Sequence, residues 1–210
     1  MAVGTTQERA RAAHLGPERR RPQVLDAALR LAAAGGGVHG VSIEAVAQEL
    51  GVTRPVVYAC FGSREELLLA LLAREEQRLF EGVMAALPRN PDFGDPERVM
   101  VEGFQALLQA VAERADSWRL VFAPNPDPAV AGRYGEARER VARSVAALML
   151  PALQARGVQD APRKLPVLVE MFMSMGDGAV RALVQSQGRW TPEALGAYIG
   201  PMVLAALLKA

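Results

Sequence analysis

Apolar positions recur along this chain at helical spacing, and nowhere do they alternate as they would in a half-buried strand. Ile43, Val46, Ala47 and Leu50 stand at i, i+3, i+4 and i+7, so one face of a short helix is apolar and must be buried. Upstream, Leu25, Ala28, Leu29 and Ala32 mark a helix predicted to begin at Pro22 and to stop at Gly35-Gly36-Gly37. Downstream, Leu67, Leu71, Leu72, Leu79 and Val83 continue one long helix as far as Pro88. Further helices are predicted over 96–115, around Trp118, Val121 and Phe122, and over 129–155, 166–187 and 191–208. The alternation Pro124-Asn125-Pro126-Asp127-Pro128 cannot be regular structure. The fold class is therefore all-α.

The stretch 41–66 is the one that speaks about function. Ser42 is a good N-cap, and Glu44 puts a negative charge in the first turn, where unpaired amides and the helix dipole favour it. Gly51 follows the last periodic residue, where a left-handed cap is natural, and Thr53 can cap a new helix two residues later. A turn this short makes the two helices cross steeply, with the small Ala47 permitting close approach and Val52 and Val57 falling into the shared core. Arg54, Pro55, Val56 and Tyr58 are left facing outward. A cation, two small apolar groups and a phenol on a projecting helix suit a DNA major groove, where Arg pairs with guanine or phosphate and apolar groups meet thymine methyls. The competing reading is an ordinary hairpin in an all-α core. Phe61 plugs that small core, and Ser63 with Glu66 makes a capping box at the start of the long helix, with Arg64 in its first turn.

Composition changes this picture only slightly. Half of the 210 residues are apolar, enough for a sizeable core, and 24 basic residues balance 23 acidic ones. Residues 1–63 carry a net charge of +2 and residues 64–210 a net charge of −1, a small asymmetry in the direction a DNA-binding N-terminus requires. Residues 1–18 read as a mobile polar arm ended by Arg19, Arg20 and Arg21, a cluster that is either solvated or set against phosphates. A single Cys60 excludes an internal disulfide, and no Cys/His cluster exists to hold a metal. Inert packing in a reducing cytoplasm is expected for that thiol, Arg64 being the one nearby group seen to lower its pKa. No secretory h-region is present among the first twenty residues. The longest uncharged run, 194–208, has 15 residues broken by Gly196, Gly200 and Pro201. That is short of the roughly 20 residues of a membrane span. No nucleophile elbow, zinc-protease motif or P-loop occurs, Gly176-Asp177-Gly178 lacks a preceding strand, and His39 lies in a Gly-rich connection without a partner. Neither catalysis nor a cofactor is expected.

Val24-Leu25-Asp26-Ala27-Ala28-Leu29, Gly35, Ser42, Val46-Ala47, Gly51-Val52-Thr53, Tyr58, Phe61 and Ser63-Arg64-Glu65-Glu66-Leu67 together resemble the N-terminal domain of the tetracycline-repressor (TetR) family of transcriptional regulators. The resemblance covers about the first third of the chain. It implies a helix-turn-helix DNA-binding domain at 19–63, followed by a ligand-binding and dimerisation domain at 64–210. Arg54 and Tyr58 are then the first candidates for base or phosphate contact, Pro55 and Val56 for apolar contact, and Ser42, Thr53 and Arg64 for the DNA backbone. Pro55-Val56 and Cys60 depart from the commonest family pattern and remove potential donors, which bears on base preference.

The segments 166–187 and 191–208 are apolar around most of their circumference, with glycines that permit close crossing. They are expected to pair with the same two helices of a second copy, in agreement with the resemblance, and a homodimer implies a palindromic operator. Phe104, Trp118, Phe122, Tyr134, Met149, Met171 and Met175 are candidate walls of an effector pocket, and Gln105, Arg119 and Asp177 are polar residues near them. The expected protein is a repressor released from its operator by a small apolar effector. A helical small-molecule carrier that does not use its hairpin on DNA is the alternative.

Overall fold

The structure, a computed structural model, describes residues 16–35, 37–89, 94–122, 128–186 and 188–208. The predicted arm up to residue 15 and the proline alternation at 124–127 lie outside them. Among the described residues there are nine α-helices and no strand. They are α1 (Pro17–Ala34), α2 (Ile43–Leu50), α3 (Arg54–Cys60), α4 (Arg64–Ala86), α5 (Pro96–Glu113), α6 (Ala115–Val121), α7 (Pro128–Ala155), α8 (Ala161–Gln185) and α9 (Pro192–Leu208), with a single 3-10 turn at Val38–Gly40. Within this set no helix is long and apolar enough to cross a membrane. The chain divides into two compact units, the first ending at Glu75 and the second beginning at Glu76, both within α4.

Two helix starts differ from the sequence expectation for one reason. α1 begins at Pro17 rather than Pro22, and α8 begins at Ala161 rather than Pro166. In each, an earlier proline, Pro17 or Pro162, occupies the first turn, where its missing N–H forfeits nothing. The later proline then lies inside the helix and gives up one backbone hydrogen bond. Each added turn carries one buried residue. Arg20 is only 4% exposed, and Ala161 packs into a cluster with Leu153 and Leu168. Arg19, Arg20 and Arg21 therefore belong to a helix rather than to the end of an arm.

In the first unit, α1, α2 and α3 surround a core of Val24, Ala27, Ala28, Ala32, Val46, Ala47, Val57 and Phe61, all essentially sealed from solvent. Leu67 and Leu71 close it from the start of α4. Arg74 ties this part of α4 to α1, with Nη1 donating to Asp26 at 2.7 Å and to the Pro22 carbonyl at 3.3 Å.

In the second unit α5 and α9 pack very closely. A Cβ added at Gly196 would lie 2.7 Å from the Gln105 backbone nitrogen, and one added at Gly200 would lie 2.8 Å from the Val101 Cα. Only glycine lets the two backbones approach so far. Gly176 and Gly178 of α8, similar in sequence context, have open space where a Cβ would go. On the other side, α7 is fastened to the second part of α4 through Glu76, which accepts from Arg133 at 2.9 Å and Arg140 at 3.0 Å. Burial acts to raise the Glu76 pKa, but the two arginine hydrogen bonds outweigh it and hold the carboxyl below its usual range. The exposed large apolar side chains of this unit collect at its last two helices: Val167 and Met171 on α8, Tyr198, Met202 and Leu208 on α9, and Trp190 stacked on Tyr198 at 5.5 Å.

Candidate nucleic-acid interface

The hairpin of α2 and α3 is shaped by local backbone chemistry. The Ser42 Oγ accepts from the Ala45 N–H at 3.0 Å and caps α2 as expected. At its other end Gly51 takes up φ 64°, and the Val52 N–H reaches back to the Ala47 carbonyl at 2.9 Å. That is a Schellman closure, which a side chain at residue 51 would strain. Ile43, Val46 and Ala47 face inward, as their spacing requires.

Thr53 occupies the cap position of α3, but its hydroxyl makes no capping bond, which corrects the sequence expectation. The cause lies in the next two residues. An N-cap side chain serves the N–H of the second or third helical residue. The second here is Pro55, which has none, and the third is Val56, whose N–H goes to the Thr53 carbonyl at 3.0 Å. The Thr53 side chain is left at the surface.

The outward row is as expected from the spacing. Arg54 and Pro55 are exposed, Val56 is half-buried and Tyr58 is 51% exposed, whereas Val57, Cys60 and Phe61 point into the core. The far end of α3 is tied down by Arg21, whose Nη1 donates to the Cys60 carbonyl at 2.7 Å and whose guanidinium lies 4.2 Å from the Phe61 ring centre. Ser63 takes the Glu66 N–H at 3.1 Å as the expected capping box requires, but the Glu66 carboxylate takes the Gly62 N–H at 2.8 Å, one residue before the cap.

Two candidate arginines already have partners that sequence spacing did not reveal. Arg64 donates from Nε to the Val41 carbonyl at 2.6 Å and from Nη2 to the Val38 carbonyl at 3.0 Å, so it braces the 3-10 turn before α2. Arg54 pairs through Nη2 with the Glu44 carboxylate, and this hydrogen bond holds the guanidinium proton more firmly than usual. In the sequence Glu44 reads only as a first-turn charge. The signal available was an acid and a base at the first turns of two helices joined by a three-residue turn.

Cys60 is buried, and its thiol donates to the Val56 carbonyl at 3.4 Å. Burial pushes its pKa up against the pull of Arg20 and Arg21. Those two, rather than Arg64, are its neighbouring cations.

The effector candidates do not form one group. Trp118, Phe122 and Tyr134 make an aromatic cluster, with Trp118 stacked on Phe122 at 5.8 Å and Tyr134 edge-on to Phe122 at 5.5 Å. Phe104 and Met175 pack in a second cluster beside Phe172, and Met149 joins others around Val169 and Met173. Met171 is 45% exposed on α8. Asp177 accepts from the Tyr134 hydroxyl at 2.5 Å and from Arg138 Nε at 2.9 Å. Burial, and then that bond to Asp177, push the Tyr134 phenol far above its ordinary pKa. Gln105 donates to the Glu193 carbonyl, and Arg119 pairs with Asp116 at the surface. No group of three His, Cys, Asp or Glu residues that could hold a metal occurs among the described residues.

The sequence pattern of bacterial regulatory proteins of the tetR family matches residues 24–71, the span that holds α2, α3 and the start of α4. Residues 24–71 thus carry the N-terminal pattern of that family. It is 32% identical over 105 residues to the HTH-type transcriptional activator FasR of Mycolicibacterium smegmatis, a stretch covering 49% of this chain and 47% of that protein. The match thus spans about half the length of that curated relative. Similar TetR-type folds extend over most of the chain. A TetR-like transcriptional regulator from Rhodococcus sp. RHA1 superposes with a TM-score of 0.71 at 20% identity, covering 91% of this chain and 97% of that one. The fatty acid degradation regulator FadR from Bacillus halodurans does so with a TM-score of 0.66 at 16% identity, covering 88% and 94%.

Proposed function

We propose that this protein is a TetR-family, DNA-binding transcriptional regulator that works in the cytoplasm as a homodimer on a palindromic operator. The observation that carries the reading is the capped, steeply turned hairpin whose second helix presents Arg54, Pro55, Val56 and Tyr58 to solvent over a sealed core. Arg54 and Tyr58 contact bases or phosphates, Pro55 and Val56 supply apolar contact, and Ser42 and Thr53 meet the DNA backbone. Arg64 acts there through the turn it braces. The exposed apolar residues of α8 and α9 support a dimer built on these helices, since so much uncovered apolar surface is a common mark of an interface. A small apolar effector enters among Trp118, Phe122 and Tyr134, and its binding is reciprocally coupled to operator binding. Occupying an operator that overlaps a promoter represses, which is the direction proposed for this chain, while the M. smegmatis relative is named as an activator.

The test is fluorescence anisotropy of the full-length protein on a labelled duplex taken from upstream of its own gene, titrated with salt. Salt-sensitive, saturable binding is expected. Arg54→Ala should weaken it by about 10- to 100-fold if Arg54 pairs with a base. Unchanged affinity in both Arg54→Ala and Tyr58→Ala would sink the reading. Sedimentation showing only monomer at micromolar concentration would remove the dimer.

A further inference from the structure

The Glu44–Arg54 pair is hard to explain as a stabilising contact. The two side chains are 66% and 59% exposed, and an ion pair this open contributes little to folding. An acid on a surface that approaches a polyanion also works against binding. Its frame is nevertheless rigid. Val46 of α2 and Val57 of α3 are both fully buried, and the Gly51 closure fixes the turn between them, so the starts of the two helices are held in one relation. The backbones that carry the carboxylate and the guanidinium are therefore held in one relation, and the carboxylate takes one terminal nitrogen of a group that has five N–H donors in a planar fork.

Resting on the DNA-binding reading above, we infer that Glu44 is a positioning residue for operator specificity: it holds Arg54 by one edge so that the guanidinium's free edge meets a base rather than the nearest phosphate. The physical logic is a trade. Glu44 repels the backbone and lowers affinity for every sequence. In return it restricts Arg54 to an orientation in which paired donors can discriminate guanine from the other bases. A free arginine at the same place would turn to phosphate, which carries no sequence information. The adjacent exposed pair, Arg30 with Glu49 at 3.0 Å, joins α1 to α2 and serves as the internal comparison, because neither of its members stands on α3.

The experiment uses the full-length protein, a pool of random-sequence duplexes for selection, and competition binding of the duplex that wild type selects against every single-base-pair variant of it. Glu44→Gln is expected to bind an unselected duplex about 3- to 10-fold more tightly at low salt, with the salt slope steeper by about one. At one base pair per half-site its discrimination should fall about 10-fold, and the other positions should be unaffected. Arg54→Ala should lose discrimination at that same base pair, and Glu44→Gln should cost nothing further in its background. Glu44→Asp should recover part of the preference, and Glu49→Gln should leave the base profile unchanged. A uniform gain in affinity with an unaltered base profile in Glu44→Gln overturns the inference while leaving DNA binding standing. Failure of wild type to enrich any sequence overturns the DNA-binding reading itself.

Discussion

The two units of this chain use their side chains differently. In the first, the caps and the turn that shape the hairpin act on neighbours a few positions away: Ser42 on Ala45, Gly51 on its own turn, Ser63 on Glu66. In the second, residues that look alike in sequence have unlike surroundings. Trp118 is buried beside Phe122 while Met171 is at the surface, and Gly196 is pressed against Gln105 while Gly176 faces open space. Local chemistry is legible from spacing because it is set by the backbone. Roles that depend on which distant segment arrives are not.

That contrast can be broken most sharply inside the second unit. Trp118→Ala should lower unfolding free energy by about 3–5 kcal/mol, as loss of a buried aromatic does, whereas Met171→Ala, on the face proposed to meet a second copy, should change the unfolding free energy of the single chain by less than about 0.5 kcal/mol. Chemical denaturation at fixed protein concentration reads both, and equal effects would contradict the assigned burial.

The glycines give the next largest difference. Gly196→Ala drives a Cβ into the Gln105 backbone and should cost about 1–3 kcal/mol. Gly176→Ala, in open helix, should stabilise by about 0.5–1 kcal/mol. A stabilised Gly196→Ala would mean that α5 and α9 do not approach as described.

In the first unit Gly51→Ala should cost about 1–2 kcal/mol, because residue 51 has left-handed backbone. Ser42→Ala should cost about 1 kcal/mol by removing the cap. Thr53→Ala should cost distinctly less than Ser42→Ala, since the Thr53 hydroxyl caps nothing. Thermal melts of the three variants order them, and a Thr53 effect equal to that of Ser42 would restore the cap.

The smallest expected effect is on pH dependence. The folded-state pKa of Glu76 is held below its unfolded value, so its stabilising contribution is complete above about pH 4.3 and is lost as pH falls through the folded value. Glu76→Gln should flatten the acid limb of stability below about pH 4.3. An unaltered limb would show that Arg133 and Arg140 do not hold that carboxylate.

Much of the fold could be read in advance. Periodicity located the longer helices, because an apolar stripe at 3.6-residue spacing leaves a chain of this composition few other ways to bury it, and cap and breaker residues located the short ones. Where it failed, at Pro22 and Pro166, the misplaced start came from treating a proline as a boundary although an earlier proline could take the first turn. The candidate interface was legible as a set of outward positions but not as a set of contacts. Glu44 and Arg64 show the limit.

By itself the sequence determined the all-helical class, the Ser42 cap, the Gly51 turn and the outward row from Arg54 to Tyr58, since each depends on covalent geometry or on spacing along one helix. Only the tertiary structure decided that Arg64 braces the turn before α2, that Glu44 holds Arg54, that Gly196 and Gly200 face α5, and that the seven effector candidates divide among separate clusters. Those outcomes join residues from different helices, and the choice among such partners is made by packing rather than by any residue's own preference.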